Sequence, residues 1–347
     1  MHHFISGIQQ VGIGVENIRQ ATLLYKALFG MDVLIFDDTS EATLMTKYTG
    51  GKVYNRQAIL TMNLAGGGGF EIWQYKNRQP SIQQCQYGDI GIYATKIKCK
   101  NIAESHLYFS KIDEVQLTPI QFDPINNQHF WLKDKFGNTF NIVQGKEWFS
   151  NNHHKTGGVI GVVIGVSDID RSLSFYKDVL GISTIVYDVT NSFTDNDTHQ
   201  PIKSRRVLLR KPVSGVGAFN KLLGDVEIEL VQRLDAPVQT IFSNRFWGDC
   251  GFIHVCFDVL QMDSLKQLAL QHKVTFTVDS NESFAMQNAA GRFCYAEDPD
   301  GTLIELVETH KVPIYKKWGI YLNLQKRNPL KPLPNWMIGL LGLSKVK

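Results

Sequence analysis

GIQQVGIGVENIRQATLLYKALFG, residues 7–30, and GVIGVVIGVSDIDRSLSFYKDVLG, residues 158–181, are two copies of one pattern. They align without a gap at an offset of 151 residues, and Gly7, Val11, Ile13, Gly14, Val15, Ile18, Tyr25, Lys26 and Gly30 each find the same residue in the second copy. Each copy opens with the alternating apolar residues of a half-buried strand, passes a polar turn, and continues with the three-and-four spacing of an amphipathic helix. Each ends on a glycine, Gly30 or Gly181, where a left-handed residue closes a helix. Agreement of that length, with shared start and stop signals, makes an internal repeat the organising feature of the chain.

Each half carries a second, weaker copy. YGDIGIYATKIKC starts at Tyr87 and CGFIHVCFDVLQM at Cys250, with helical patterns following at about 101–112 and 262–272. Four similar strands close the copies: FEIWQY from Phe70, TFNIVQ from Thr139, VEIELVQ from Val226 and TLIELVE from Thr302. Tight-turn sequences precede two of them, DKFG at 134–137 and DPDG at 298–301. The chain is therefore expected to be α+β, with four βαβββ units at roughly 5–80, 85–148, 157–236 and 250–310. They group into a first module, 1–150, a second, 157–310, and a tail, 311–347. Residues 189–201, rich in Asp, Asn, Ser and Thr, read as a loop, and GGGG at 66–69 as a flexible loop or turn without the lysine of a phosphate cradle.

With 43% apolar and 20% charged residues, 347 residues can bury an ordinary core and suggest two or more domains. The longest apolar runs are strand-sized, and MHHFISGIQQ lacks the basic and apolar regions of a secretion signal, so a cytoplasmic location is expected. Cys85, Cys99, Cys250, Cys256 and Cys294 are odd in number and none are spaced CxxC, which argues for free thiols. Net charge is +3, but eight Lys or Arg and no acid lie from Thr309 onward, leaving the rest at 28 basic against 33 acidic residues.

VSDIDRSLSFYKDVLG (166–181) and DPDGTLIELVE (298–308) resemble the vicinal oxygen chelate superfamily, and the likeness spans about residues 5–310. That family includes glyoxalase I, methylmalonyl-CoA epimerase, extradiol dioxygenases and metal-free antibiotic-sequestering proteins. The resemblance implies half-open barrels, each closed by two units, with one metal-ligand position on the first strand and one on the last strand of each unit. Carried over, these positions are Gln10 and Glu71, Gly91 and Asn141, Gly161 and Glu229, and His254 and Glu305. The residues themselves lend support. Glu305 sits among Leu303, Ile304, Leu306 and Val307, Glu71 between Phe70 and Ile72, and His254 between Ile253 and Val255. A carboxylate in such strands is costly unless a cation or donors satisfy it. A lone strand histidine is ordinarily a core or surface residue, and a glutamate on a strand is ordinarily solvated; the family frame places them together. Imidazole, carboxylate and amide oxygen suit a divalent Zn, Ni, Co, Mn or Fe ion.

Which units pair decides the site. Adjacent closure leaves both ligand sets incomplete. Closure of the first unit on the fourth gathers Gln10, Glu71, His254 and Glu305, leaves Glu229 alone in the other barrel, and is favoured. The resemblance then implies a metal-dependent, glyoxalase-like lyase or isomerase that abstracts a proton next to a carbonyl of a small oxygenated substrate, with Glu305 as base and Glu71 second. Glutathione is not expected, because Gly14 and Cys250 stand where that substrate's arginines would be. The alternative is a non-catalytic small-molecule binding protein of the bleomycin-resistance type. An extradiol dioxygenase is disfavoured by Gly161, where a histidine is needed. The basic, aromatic tail is expected to pack across the barrels or against a partner in a homodimer, with an anionic membrane surface as the other reading. No basic stripe runs through the domains, so nucleic acid is not an expected partner.

Overall fold

The computed structural model describes residues 4–82, 84–281, 284–286, 289–315 and 319–347. The βαβββ order recurs four times along the chain. The first unit holds β1 (Ile5–Gly14), α1 (Ile18–Phe29), β2 (Val33–Glu41), β3 (Asn55–Met62) and β4 (Gly69–Tyr75). The second holds β5 (Gly91–Cys99), α2 (Ile102–Phe109), β6 (Val115–Leu117), the short β7 (Gln121–Phe122), β8 (Gln128–Asp134) and β9 (Thr139–Gln144). The third holds β10 (Thr156–Gly165), α3 (Ile169–Ser174), β11 (Thr184–Phe193), β12 (Ile202–Lys211), α4 (Asn220–Leu223) and β13 (Val226–Arg233). The fourth holds β14 (Gly251–Val259), α5 (Met262–Gln271), β15 (Phe276–Asp279), β16 (Phe284–Met286), β17 (Ala289–Glu297) and β18 (Leu303–Tyr315). β19 (Ile320–Asn323) and α6 (Asn335–Gly339) belong to the tail.

Helix starts and stops follow local chemistry. Asn17, Asn101 and Asp168 are extended residues whose side chains accept the free N–H groups of Gln20, Glu104 and Arg171. Gly30 and Gly181 lie at φ +63 and +68. Two expectations need correction. β11 runs on to Phe193 because its residues pair with β12 as far as Phe193↔Ile202, so the loop is shorter than 189–201. β18 extends to Tyr315, past the expected end of the repeat, because β19 pairs with it through Lys311↔Asn323.

The units close in the swapped arrangement. One sheet has the order β15-β17-β18-β14-β1-β4-β3-β2, joining the fourth unit to the first, and the other has β11-β12-β13-β10-β5-β9-β8-β6, joining the third to the second. Each sheet curls into a half-open barrel. The seams are antiparallel, β1 on β14 and β10 on β5.

The helices tie the units in the other combination. Tyr25 of α1 donates to Asp134 of the 134–137 turn at 2.9 Å, and Tyr176 donates to Asp298 of the 298–301 turn at 3.0 Å. Both pairs are buried, and burial lifts Asp298 to about 6. Tyr25 and Phe29 also pack on Phe70 and Phe140, so one continuous apolar core lies between the sheets. Strands thus join one to four and two to three, while helices join one to two and three to four.

Residues 66–69 are a fixed backbone crossing rather than a flexible loop. Gly68 and Val159 exchange N–H···O bonds of 2.8 and 2.9 Å, and a Cβ on Gly67 would fall 2.7 Å from the Gly158 carbonyl carbon. Only glycine permits that approach. The tail folds onto the first sheet. Leu34 N–H donates to Ser344 and Val346 N–H to Asp32, and Leu333, Ile338 and Leu341 are buried with Val33, Met62, Phe219 and Leu223. Among the described residues no helix is long and apolar enough to cross a membrane.

Candidate metal centre

Four adjacent strands bring the four residues together. β1 lies between β14 and β4, and β14 lies between β1 and β18. The register sets Gly12 beside both His254 and Glu71, Gln10 beside Cys256, and Cys256 beside Glu305. Side chains alternate along strands, so Gln10, Glu71, His254 and Glu305 all point into the first barrel. Each is at least nine-tenths buried, and His254 is wholly so.

His254 Nε2 stands 3.0 Å from a Glu305 oxygen and 3.3 Å from a Glu71 oxygen. Gln10 Nε2 donates to Glu305 at 3.3 Å, and the Tyr295 hydroxyl is 3.3 Å from His254 Nδ1. His254 Nε2, Glu71 Oε2 and Gln10 Oε1 nevertheless make no hydrogen bond of good geometry. Buried polar atoms are rarely left so. Ligand atoms about 2.1 Å from one ion, subtending 90–110°, lie about 3.0–3.4 Å apart. The observed spacings fall in that range, and the donor atoms of Glu71, His254 and Glu305 all lie within 4.8 Å of one another. The residues present therefore fit a small divalent ion.

Electrostatics agree. Burial pushes the His254 imidazolium down, but the charges of Glu305 and Glu71 outweigh it and raise the group to about 9. Burial raises Glu305, yet the His254 charge and the surrounding hydrogen bonds hold it below the usual carboxylate range. The two carboxylates need a positive charge between them, and a proton on His254 and a metal ion compete for that role.

Room for the imidazole comes from across the seam. A Cβ on Gly12 would lie 2.4 Å from His254 Cε1. The other barrel shows the converse. Its seam pairs Thr156↔Cys99 and Val159↔Ile97 where the first pairs Ile5↔Val259 and Ile8↔Phe257. The equivalent of Gly12 is therefore Val163, and that of His254 is Ala94. This corrects the sequence assignment of Gly91, which is displaced by three residues because Gly91 matches Gly251 at the strand start. Gly161 and Asn141 keep the positions expected of them.

The second barrel is also not a vacant copy. Glu229 accepts from Arg206 at 2.7 and 3.0 Å and faces Lys96 at 3.2 Å. Arg206 also grips Asp195 with two bonds of 2.7 Å, and Lys96 reaches Glu227 at 3.0 Å. Burial works against the Glu229 charge, but Arg206 and Lys96 overcome it and hold its carboxyl far below the ordinary range. Fixed side-chain cations occupy the place where the first barrel gathers only one titratable imidazole. Asn141 bonds His129 at 2.8 Å instead of facing a ligand site.

Above the first centre lies a cavity of about 1250 Å³ including its mouth, walled by Phe36, Met45, Leu60, Trp73, Trp247 and Phe293. The tail reaches it through Leu341. Tyr295, Arg56 and Arg206 are the polar residues that sequence reading missed. Arg56 and Arg206 carried a signal: each shares a strand face with apolar residues, Arg56 with Ala58 and Leu60, Arg206 with Leu208.

Residues 158–306 match the model of the Glyoxalase/Bleomycin resistance protein/Dioxygenase superfamily. Over 174 residues the chain is 25% identical to the mitochondrial methylmalonyl-CoA epimerase of Mus musculus, which covers 49% of this chain and 83% of that protein. A provisionally assigned dioxygenase from Bacillus subtilis shares the fold with a TM-score of 0.57 at 14% identity, over 88% of this chain and 86% of that one. Glyoxalase I from Zea mays shares it with a TM-score of 0.53 at 12% identity, over 87% and 92%. Residues 158–306 thus match the model of that superfamily, and the chain as a whole shares the fold of these structures over most of its length.

Proposed function

We propose that this protein is a metal-dependent lyase or isomerase that removes a proton next to a carbonyl of a small oxygenated substrate. One observation carries the reading: Gln10, Glu71 and Glu305 line an apolar cavity with His254 between the two carboxylates, and Gln10 Oε1, Glu71 Oε2 and His254 Nε2 are left unsatisfied. Gln10, Glu71, His254 and Glu305 would hold the ion. A divalent ion there would polarise a substrate carbonyl and make the neighbouring C–H more acidic.

The chain's own groups do the rest. Glu305 is the general base, with Glu71 in the second role. Both carboxylates are buried on strands of one sheet beside the same cavity, and exclusion of water strengthens their interactions with a developing charge. Tyr295, close to His254 Nδ1, fixes the imidazole tautomer that presents Nε2 to the centre. The likeness to methylmalonyl-CoA epimerase supports an isomerase-type reaction.

The test is Glu305→Gln, which keeps shape and removes the base. Proton exchange at the substrate carbon, followed in deuterium oxide, is expected to fall by at least 100-fold while substrate still binds. Full exchange in that variant overturns the base assignment. Purified protein without a stoichiometric transition metal that also gains no activity on metal addition would favour a binding protein instead.

A further inference from the structure

The cavity has a second polar pole. Arg56 Nε, Trp73 Nε1 and Trp247 Nε1 are buried N–H donors without a hydrogen-bond partner, and all three residues line this cavity. Each residue is at least nine-tenths buried: Arg56 is 5% exposed, Trp73 5% and Trp247 3%. They stand together. The Arg56 guanidinium lies 4.7 Å over the Trp73 ring, and the Trp73 and Trp247 rings are 4.5 Å apart.

Their distance from the metal centre follows from the strands. Glu71 pairs with Leu60, and Trp73 pairs with Ala58, two residues further along. Two residues of strand amount to about 7 Å. Arg56 is held at that level because its guanidinium bonds Asp38 at 2.6 Å, and Asp38 pairs with Ala58. Asp38 neutralises the arginine's charge but leaves Nε–H unused. Between the two poles the wall is apolar, formed by Phe36, Leu60, Met45 and Phe293.

We infer that the substrate carries, about 7–10 Å from its metal-facing oxygens, a hydrogen-bond-accepting oxygen group, carbonyl or carboxylate, which Arg56, Trp73 and Trp247 bind across an apolar body. The three residues offer donors and no acceptor at their free atoms, so an ammonium, which can only donate, is not recognised there. The identification rests on the proposed function only in taking this cavity as the substrate site. The three donors need no metal to act.

The test uses three small probes of one shape: 4-phenylbutan-2-one, 4-phenylbutanoate and butylbenzene. Their affinities for the wild-type protein and for Trp73→Phe/Trp247→Phe are measured by equilibrium dialysis, with and without zinc. Phenylalanine keeps the wall and removes the donors. The double variant is expected to lose about 10–100-fold in affinity for an oxygenated probe, roughly tenfold per donor, while butylbenzene changes less than twofold. Preference for the carboxylate or for the ketone assigns the group that the pole takes. A second readout avoids the variant: the carbonyl stretch of isotope-labelled 4-phenylbutan-2-one bound to wild-type protein should move to lower frequency. Equal losses for all three probes, or an unshifted carbonyl stretch, overturn the inference. If zinc has no effect on proton exchange while the probe pattern holds, the proposed reaction fails and this pole stands.

Discussion

Replacing Gly12 by valine tests the seam between the first and fourth units. The β-carbon would sit 2.4 Å from His254 Cε1 and 2.7 Å from Nε2, where unbonded heavy atoms prefer about 3.5–4.0 Å. The ring must retreat by about 1 Å, and strand pairing on both sides leaves it little freedom. Ligand bonds tolerate shifts of about 0.2 Å, so divalent metal affinity should fall at least 100-fold, by an order-of-magnitude argument. Overpacking should also cost about 1–3 kcal/mol of stability. The second barrel supplies the compensation. There the equivalent residues are Val163 and Ala94, both buried in one cluster. Gly12→Val/His254→Ala should therefore regain about 1–3 kcal/mol relative to Gly12→Val, a coupling expected of residues in direct contact, and still bind no metal. Guanidinium unfolding at pH 7 measures stability, and elemental analysis measures metal. Stoichiometric metal in Gly12→Val, or a double variant no more stable than Gly12→Val, would refute the complementarity of glycine and imidazole.

Three further outcomes follow from the buried charges and the tail. Arg206→Met strips the cation from Glu229 and Asp195, and should cost about 3–5 kcal/mol at pH 7. Both carboxyls are held low in the fold, so the stability they contribute is present at neutral pH and fades as pH falls into the carboxylate range; the deficit of the variant should shrink in unfolding experiments near pH 3–4. Asp258 behaves with the opposite sign: burial lifts it to about 7, the Ser6 hydroxyl offsets part of that rise, and the Glu308 charge adds to it. Its contribution is full below about pH 4 and declines as pH rises to about 7, by up to about 4 kcal/mol, and Asp258→Asn should flatten that slope in unfolding free energy against pH. Deleting residues 330–347 removes Leu333, Ile338 and Leu341 from their buried cluster and should lower stability by several kcal/mol, at about 1.5–3 kcal/mol per buried side chain; unchanged stability in the same assay would mean that the tail does not hold this sheet.

The repeat, the helix caps and the ligand strands were legible because they depend on local signals. Alternation, cap residues and glycines recur at a fixed offset, and one copy reads the next. The swapped closure was legible only through a comparison of charges: just one pairing put Gln10, Glu71, His254 and Glu305 in one barrel. The position of Ala94 was not. A strand read in isolation has no fixed register, and a slip of three residues cost no apolar match until the turn glycines Gly91 and Gly251 aligned the two copies. Arg56, Arg206 and Trp247 lay outside reach for a different reason. Their partners come from another strand, a loop and another unit: Asp38, Asp195 and Trp73. A buried arginine in an apolar strand announces that a partner exists without saying where.

The two barrels answer one electrostatic problem in two ways. Both place a glutamate on the strand that follows the seam, Glu71 in one and Glu229 in the other, and both bury it. A buried carboxylate requires a positive neighbour. In the second barrel Arg206 and Lys96 provide it permanently, with bonds that leave Glu229 no free valence for a ligand. In the first barrel the matching positions hold neither cation: Ala58 stands where Arg206 does, and Cys256 where Lys96 does. The compensating charge there must be exchangeable, a proton on His254 or an ion. A fixed cation gives rigidity, and an exchangeable one gives chemistry. The ties between sequence neighbours draw on both barrels equally, one residue from each in Tyr25 with Asp134 and in Tyr176 with Asp298. What distinguishes the first barrel is that Gln10 Oε1, Glu71 Oε2 and His254 Nε2 are buried without partners, ready for an exchangeable charge.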